Sequence, residues 1–112
     1  MNQCNGQGNI KAAYLHGKID TSNSKQLRQE VIDCVEADTT TLVLDLHEVT
    51  FIDSSGLGSL VFLLKWMRSR GGRVVIYRPN SQVRMLLDIA NMTQILPVCS
   101  NVEELAAADI QL

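Results

Sequence analysis

The alternation of apolar and polar positions changes period several times along this chain, and each change marks an element. Asn9 to His16 carries Ile10, Ala12, Ala13, Tyr14 and Leu15 and stops at Gly17, which predicts a strand. Ile19-Asp20-Thr21-Ser22-Asn23-Ser24 is then a loop of helix-capping residue types, with Ser22 or Ser24 placed to cap the first helix. From Lys25 a helical period takes over. Leu27, Val31, Ile32, Cys34 and Val35 share one face, and Arg28, Gln29, Asp33 and Glu36 lie off it. Thr39-Thr40-Thr41 breaks that period.

Leu42-Val43-Leu44-Asp45-Leu46 is a near-continuous apolar run, the pattern of a central strand covered on both faces. Val49 to Ile52 and Asp53-Ser54-Ser55-Gly56 lead into a long helix from about Gly56 to Arg70, stopped by a positive-φ cap at Gly71-Gly72. Arg73 to Tyr77 predicts another strand, Pro79 opens a loop, and Val83, Leu86, Leu87 and Ala90 mark a short helix. Gln94 to Val98 predicts a strand and Val102 to Ala108 a last helix, with room for one more strand in the first eight residues. Strands alternating with helices make this an α/β fold: a mixed sheet of four to five strands, with about four helices packed mainly on one face.

Composition narrows the function classes. A chain of 112 residues with 46% hydrophobic positions suits a single domain, 1–112, with a real core. Ten Lys and Arg against twelve Asp and Glu leave a net charge of −2, so no broad basic field exists to grip nucleic acid. Arg68, Arg70, Arg73, Arg78 and Arg84 are read as a solvated rim, with binding of an acidic partner face the alternative. Gly58 and Ser59 interrupt the longest apolar stretch, from Leu57 to Leu64, so no membrane-spanning helix is expected. The polar start shows no signal peptide, and a cytoplasmic location is expected. Cys4, Cys34 and Cys99 are odd in number, form no CxxC and sit beside neither His16 nor His47. They argue against a disulfide framework or a metal site; positions 34 and 99 are expected to be small apolar fillers, and no cofactor is implied.

The candidate chemistry lies in Asp53-Ser54-Ser55-Gly56-Leu57-Gly58. Two hydroxyls follow a carboxylate where strand gives way to helix, a place where Asp or Ser caps and where backbone N–H groups favour an anion. Gly56 and Gly58 are expected to leave the first turn bare for close approach. Steps of 100° put Leu57, Leu60, Val61, Leu64 and Met67 on the core face, and Phe62 and Trp66 opposite, with Ser59 beside them. That pair predicts an exposed protein-binding anchor. Neither serine lies in G-x-S-x-G, Gly56-Leu57-Gly58 lacks a third glycine, and no lysine follows a glycine-rich loop. The chain is therefore not expected to be an enzyme.

Gly17-Lys18-Ile19-Asp20, Leu42-Val43-Leu44-Asp45-Leu46, the DSSGLG box at 53–58, Gly71-Gly72 and Ser81-Gln82-Val83-Arg84-Met85-Leu86-Leu87-Asp88 together resemble the STAS domain family, specifically its single-domain bacterial anti-sigma factor antagonists. The resemblance spans essentially the whole chain and implies the STAS-type fold and partner switching. The unphosphorylated form would bind an anti-sigma factor serine kinase. Phosphorylation at Ser54, with Ser55 the neighbour not normally modified, would release it, and a metal-dependent serine phosphatase would reset it. The implied contact residues are Asp20, Thr21, Ser22, Asn23, Asp53, Ser55 and Gly56, joined by Ser59, Phe62 and Trp66 from the helix pattern. Asp53 carries two readings, a helix cap or a group that orients the Ser54 hydroxyl for transfer. A monomer or weak dimer is expected. The alternative is a STAS subunit of an ABC-type lipid transport system.

Overall fold

A computed structural model describes residues 3–6 and 8–112. Its sheet has five strands in sequence order: β1 (Gln3–Asn5), β2 (Ile10–Ile19), β3 (Thr41–Ile52), β4 (Arg73–Tyr77) and β5 (Val98–Cys99). β1 is antiparallel to β2, and every other pair is parallel. Parallel neighbours need crossovers, and three helices supply them: α1 (Ser24–Cys34), α2 (Ser54–Ser69) and α3 (Ser81–Ile89). Crossovers of one hand between strands laid down in one direction fall on the same side of the sheet. The main core accordingly joins Leu27 and Val31 of α1, Leu60, Leu63, Leu64 and Met67 of α2, and Val83 and Leu87 of α3 to Leu42, Leu44 and Leu46 of β3.

The fourth helix, α4 (Val102–Ala107), crosses to the other face, where Leu105 and Ile110 cover Ala12, Val43, Val75, Tyr77 and Cys99. β3 is thus buried on both sides, as its continuous apolar run predicts. Its one charged core position, Asp45, is 3% exposed and is neutralised by Arg78, whose Nε lies 2.9 Å from Oδ2. Gly71, at φ +78°, closes α2: its N–H donates to the Arg68 carbonyl at 3.0 Å and that of Gly72 to the Met67 carbonyl at 2.8 Å. Those are the two bonds of a Schellman cap, which the paired glycines predict.

Several boundaries differ from the sequence expectation. β2 runs on through Gly17 to Ile19, with register shifts between Tyr14 and His16 and between Gly17 and Lys18. β3 is a single strand of 12 residues rather than a run with a break. The strand expected at Gln94 to Val98 shrinks to Val98–Cys99, preceded by a 3₁₀ turn at Met92–Gln94. Pro97 has no N–H to give the ladder, so its carbonyl alone pairs, accepting from Ile76 at 2.9 Å. Ser22 and Ser24 do not cap α1: Asn23 holds the N-cap position without a side-chain cap bond, and Ser24 is the first helical residue.

The cysteine expectation is overturned. Cys4 and Cys34 form a disulfide, with Cα atoms 6.2 Å apart, inside the usual range for a bridge. Cys34 is therefore a covalent tie and not an apolar filler. Cys99 is buried as expected, and that burial, followed by the nearby Glu104 charge, pushes its thiol pKa up. The five arginines of the expected rim are each tied to their own fold. Arg68, Arg70 and Arg73 donate to the carbonyls of Ile95, Glu36 and Ala108, while Arg78 and Arg84 face Asp45 and Asp88. Among the described residues no helix is long and apolar enough to cross a membrane.

Candidate functional site at the start of α2

β3 ends at Ile52 and the chain turns through Asp53 into α2, with Ser54 its first helical residue. The turn is fixed by one carboxylate. Asp53 Oδ1 accepts from the Gly56 N–H at 2.9 Å, an N-cap bond. Its Oδ2 accepts from the Thr21 N–H at 3.2 Å and, weakly, from Thr21 Oγ1 at 3.5 Å. The Asp53 N–H donates to the Ile19 carbonyl at 3.1 Å, so the loop after β2 is docked onto the start of α2.

That loop is itself tightly built. Asp20 Oδ1 accepts from both the N–H and the hydroxyl of Ser22. Asn23 Oδ1 accepts from the Asp20 N–H at 2.9 Å, and Asn23 Nδ2 donates to the Lys18 carbonyl at 2.7 Å. The Ser22 hydroxyl, then the Ser22 N–H, hold the Asp20 carboxyl below its ordinary pKa by bonding its charged form. Asp20, Ser22 and Asn23 thus shape the loop that presents Thr21.

The two adjacent serines are unlike. Thr21 Oγ1 and Ser55 Oγ lie 3.0 Å apart, and Ser55 is half-buried. Ser54 is exposed, and among the described residues its hydroxyl has no hydrogen-bond partner. A phosphoryl group could reach Ser54 without breaking a bond; reaching Ser55 would cost the contact with Thr21. The sequence puts the hydroxyls side by side, and only the contact made across 34 residues separates them.

The two glycines also differ. A Cβ on Gly56 would lie 2.6 Å from both the Ile19 carbonyl oxygen and Ile52 Cγ1, so glycine is required there for the close packing of helix start on strand ends. Gly56 is buried and is not the bare surface expected of it. Gly58 is exposed, with nothing within 4 Å of such an added carbon. Ser54, Gly58, Phe62 and Lys65, spaced four, four and three apart and all exposed, form the outer stripe of α2.

The anchor expected farther along the helix is smaller than predicted. Ser59 is 3% exposed and donates to the Ser24 carbonyl at 3.1 Å, so it joins α2 to α1 rather than facing a partner. Trp66 is half-buried against the main core, with the Arg70 guanidinium 4.7 Å from its ring centre. Phe62 alone is exposed, at 42%, with the Arg28 guanidinium 4.2 Å above its ring. The helical projection assumed one buried neighbour, whereas α2 has two, the sheet and α1. Leu63, left off the expected core face, is fully buried for the same reason. The sequence pattern also missed Phe51, 43% exposed at the end of β3 two residues before Asp53.

A mixed sheet with three crossover helices on one face, and an exposed serine at the start of the second of them, defines a small α/β domain. The STAS domain family model matches residues 3–105, and the chain belongs to that family. BtrV of Bordetella bronchiseptica, provisionally named an anti-sigma factor antagonist, is 31% identical over 96 residues, 86% of this chain and 83% of BtrV. The anti-sigma F factor antagonist of Paenibacillus polymyxa is 30% identical over 88 residues, 78% of this chain and 75% of that one. The anti-sigma factor antagonist SpoIIAA of Bacillus shares the fold. Its unphosphorylated form superposes with a TM-score of 0.70 at 21% identity over 97% of this chain and 96% of SpoIIAA. Its phosphorylated form gives 0.71 at 18% identity over 99% of this chain and all of SpoIIAA.

Proposed function

We propose that this chain is an anti-sigma factor antagonist that works by partner switching, with Ser54 as the phosphate acceptor. The observation that carries the assignment is the contrast between the free, exposed Ser54 hydroxyl and the bonded Ser55 hydroxyl beside it. The named relatives, of similar length along most of the chain, support the functional class.

The physics of the switch is asymmetric. A phosphoserine adds about −1.5 to −2 charges, which the positive end of a helix dipole accepts at no cost to the fold. Asp53 sits next door with its carboxylate already fixed by Gly56 and Thr21. Two like unit charges ~5 Å apart at an effective dielectric of ~20 repel by about 3 kcal/mol. Water and salt relieve much of that in the free protein and little of it beneath a partner. A penalty of that size lowers affinity about a hundredfold. The partner leaves and the domain stays folded.

In this scheme the unphosphorylated form binds an anti-sigma factor that is also a serine kinase, and a metal-dependent serine phosphatase restores it. Thr21, Ser54, Gly58 and Phe62 make the contact surface, with Asp20, Ser22 and Asn23 shaping it. Asp53 acts as the cap: both its oxygens are engaged and neither bonds Ser54. The transport-subunit alternative has no comparable observation in its favour.

The test is the intact mass of the chain isolated from its own cells, before and after serine phosphatase treatment, beside Ser54→Ala. One phosphate, lost in the variant and retained in Ser55→Ala, is the expected result. An unmodified chain under every growth and stress condition would remove the switch.

A further inference from the structure

β1 is a short edge strand of the sheet, three residues long and paired only with β2. Cys4 stands opposite Ala13, whose side chain belongs to the core beneath α1 to α3, so Cys4 lies on the helix-covered face. There it meets Cys34, the last residue of α1, in the disulfide. Both cysteines are half-buried, within reach of a small thiol reagent, while Cys99 is buried on the opposite face of the sheet.

The other end of α1 belongs to the site. The Ser24 carbonyl receives the Ser59 hydroxyl, and the loop just before it brings Thr21 to Asp53 and Ser55. Eleven helical residues at 1.5 Å each put about 16 Å between the two ends. One rigid element therefore has a covalent tie at one end and the hydrogen bonds of the Ser54 site at the other.

We propose that Cys4 and Cys34 are a reversible redox modification site, and that closing the bridge fixes α1 and, through it, the Thr21 loop against the start of α2. The oxidant is a low-molecular-weight disulfide. One protein thiolate attacks it, forming a mixed disulfide and releasing one small thiol. The second cysteine then attacks the protein sulfur of that mixed disulfide and releases the other small thiol. Two protein thiols are oxidised, one small disulfide is reduced to two thiols, and the two protons leave on them. A dithiol reverses the exchange. None of this requires a partner protein or a phosphate on Ser54, so it stands apart from the function proposed above.

The test equilibrates the whole chain in glutathione buffers from fully reduced to strongly oxidising, with two readouts on the same samples. Intact mass after alkylation reports the thiols, and amide hydrogen exchange reports the backbone. At the oxidised end, the expected chain is lighter by two hydrogens, with Cys4 and Cys34 unalkylated. Exchange in residues 3–5, 12–14 and 20–24 then slows about tenfold or more relative to the reduced chain. Cys34→Ser loses both effects, and Cys99→Ser keeps both. Thiols that stay free or stop at the mixed disulfide overturn the site. A bridge that closes while exchange in residues 20–24 is unchanged overturns the coupling.

Discussion

At the scale of single residues, the DSSGLG box holds two kinds of position under similar letters. Gly56 is fixed by steric contact with the Ile19 backbone and the Ile52 side chain, whereas Gly58 faces open solvent. Gly56→Ala is expected to destabilise the domain by about 1–3 kcal/mol, since neither a backbone carbonyl nor a packed strand end yields easily. Gly58→Ala is expected to stabilise it by about 0.5–1 kcal/mol, because alanine loses less freedom inside a helix. Urea denaturation of the two variants checks the contrast, and equal effects would contradict the packing account. Asp53 is likewise a residue whose work is visible only in contacts: its side chain ends a local cap and a remote loop together. The cap was legible from Asp at a strand-to-helix junction. The bond to Thr21 was not, because no local pattern signals a partner 32 positions away.

At the scale of elements, α2 shows where periodicity succeeds and where it stops. Leu60, Leu64 and Met67 are buried as their spacing predicts, and Phe62 is exposed. Ser59 and Trp66 were placed with Phe62 but lie toward α1 or the core. A helical projection gives directions around an axis and not the number of neighbours, and a second helix alongside widens the buried arc. Truncation separates the two aromatic rings. Trp66→Ala should cost about 2 kcal/mol or more in denaturant stability, since a large ring leaves the core wall. Phe62→Ala should cost under about 1 kcal/mol, while its affinity for an anti-sigma partner falls about tenfold or more. Calorimetric binding beside urea denaturation distinguishes them. A Phe62 variant that unfolds early yet binds normally would reverse the assignment.

At the scale of the whole molecule, the disulfide spans 30 residues and joins the edge strand to the first crossover helix. Closing a loop of that length removes denatured-state entropy worth about 3–4 kcal/mol. Reduction should therefore lower the thermal midpoint by well over ten degrees for a domain of this size. A calorimetric scan with and without dithiothreitol measures it, and coincident midpoints would show that the tie contributes nothing to the fold. The same bridge explains why cysteine arithmetic failed. Scattered spacing speaks against a local motif such as CxxC, and it is silent about two residues brought together by β1 folding back on β2.

Much of this protein was set by its sequence alone. The strand and helix order, the doubly covered β3, the glycine stop after α2 and the membership of the STAS family rest on local period, turn chemistry and a short motif. Each depends on neighbours a few positions apart, so each is readable along the chain. Tertiary structure decided which serine is free, what the second oxygen of Asp53 holds, which face Ser59 takes and which cysteines pair. The deciding contacts, Thr21 with Asp53 and Ser55, Ser24 with Ser59, and Cys4 with Cys34, join positions 30 to 35 apart. Such pairs meet only once the strands have paired, because strand pairing and the crossovers bring together residues that lie far apart along the chain.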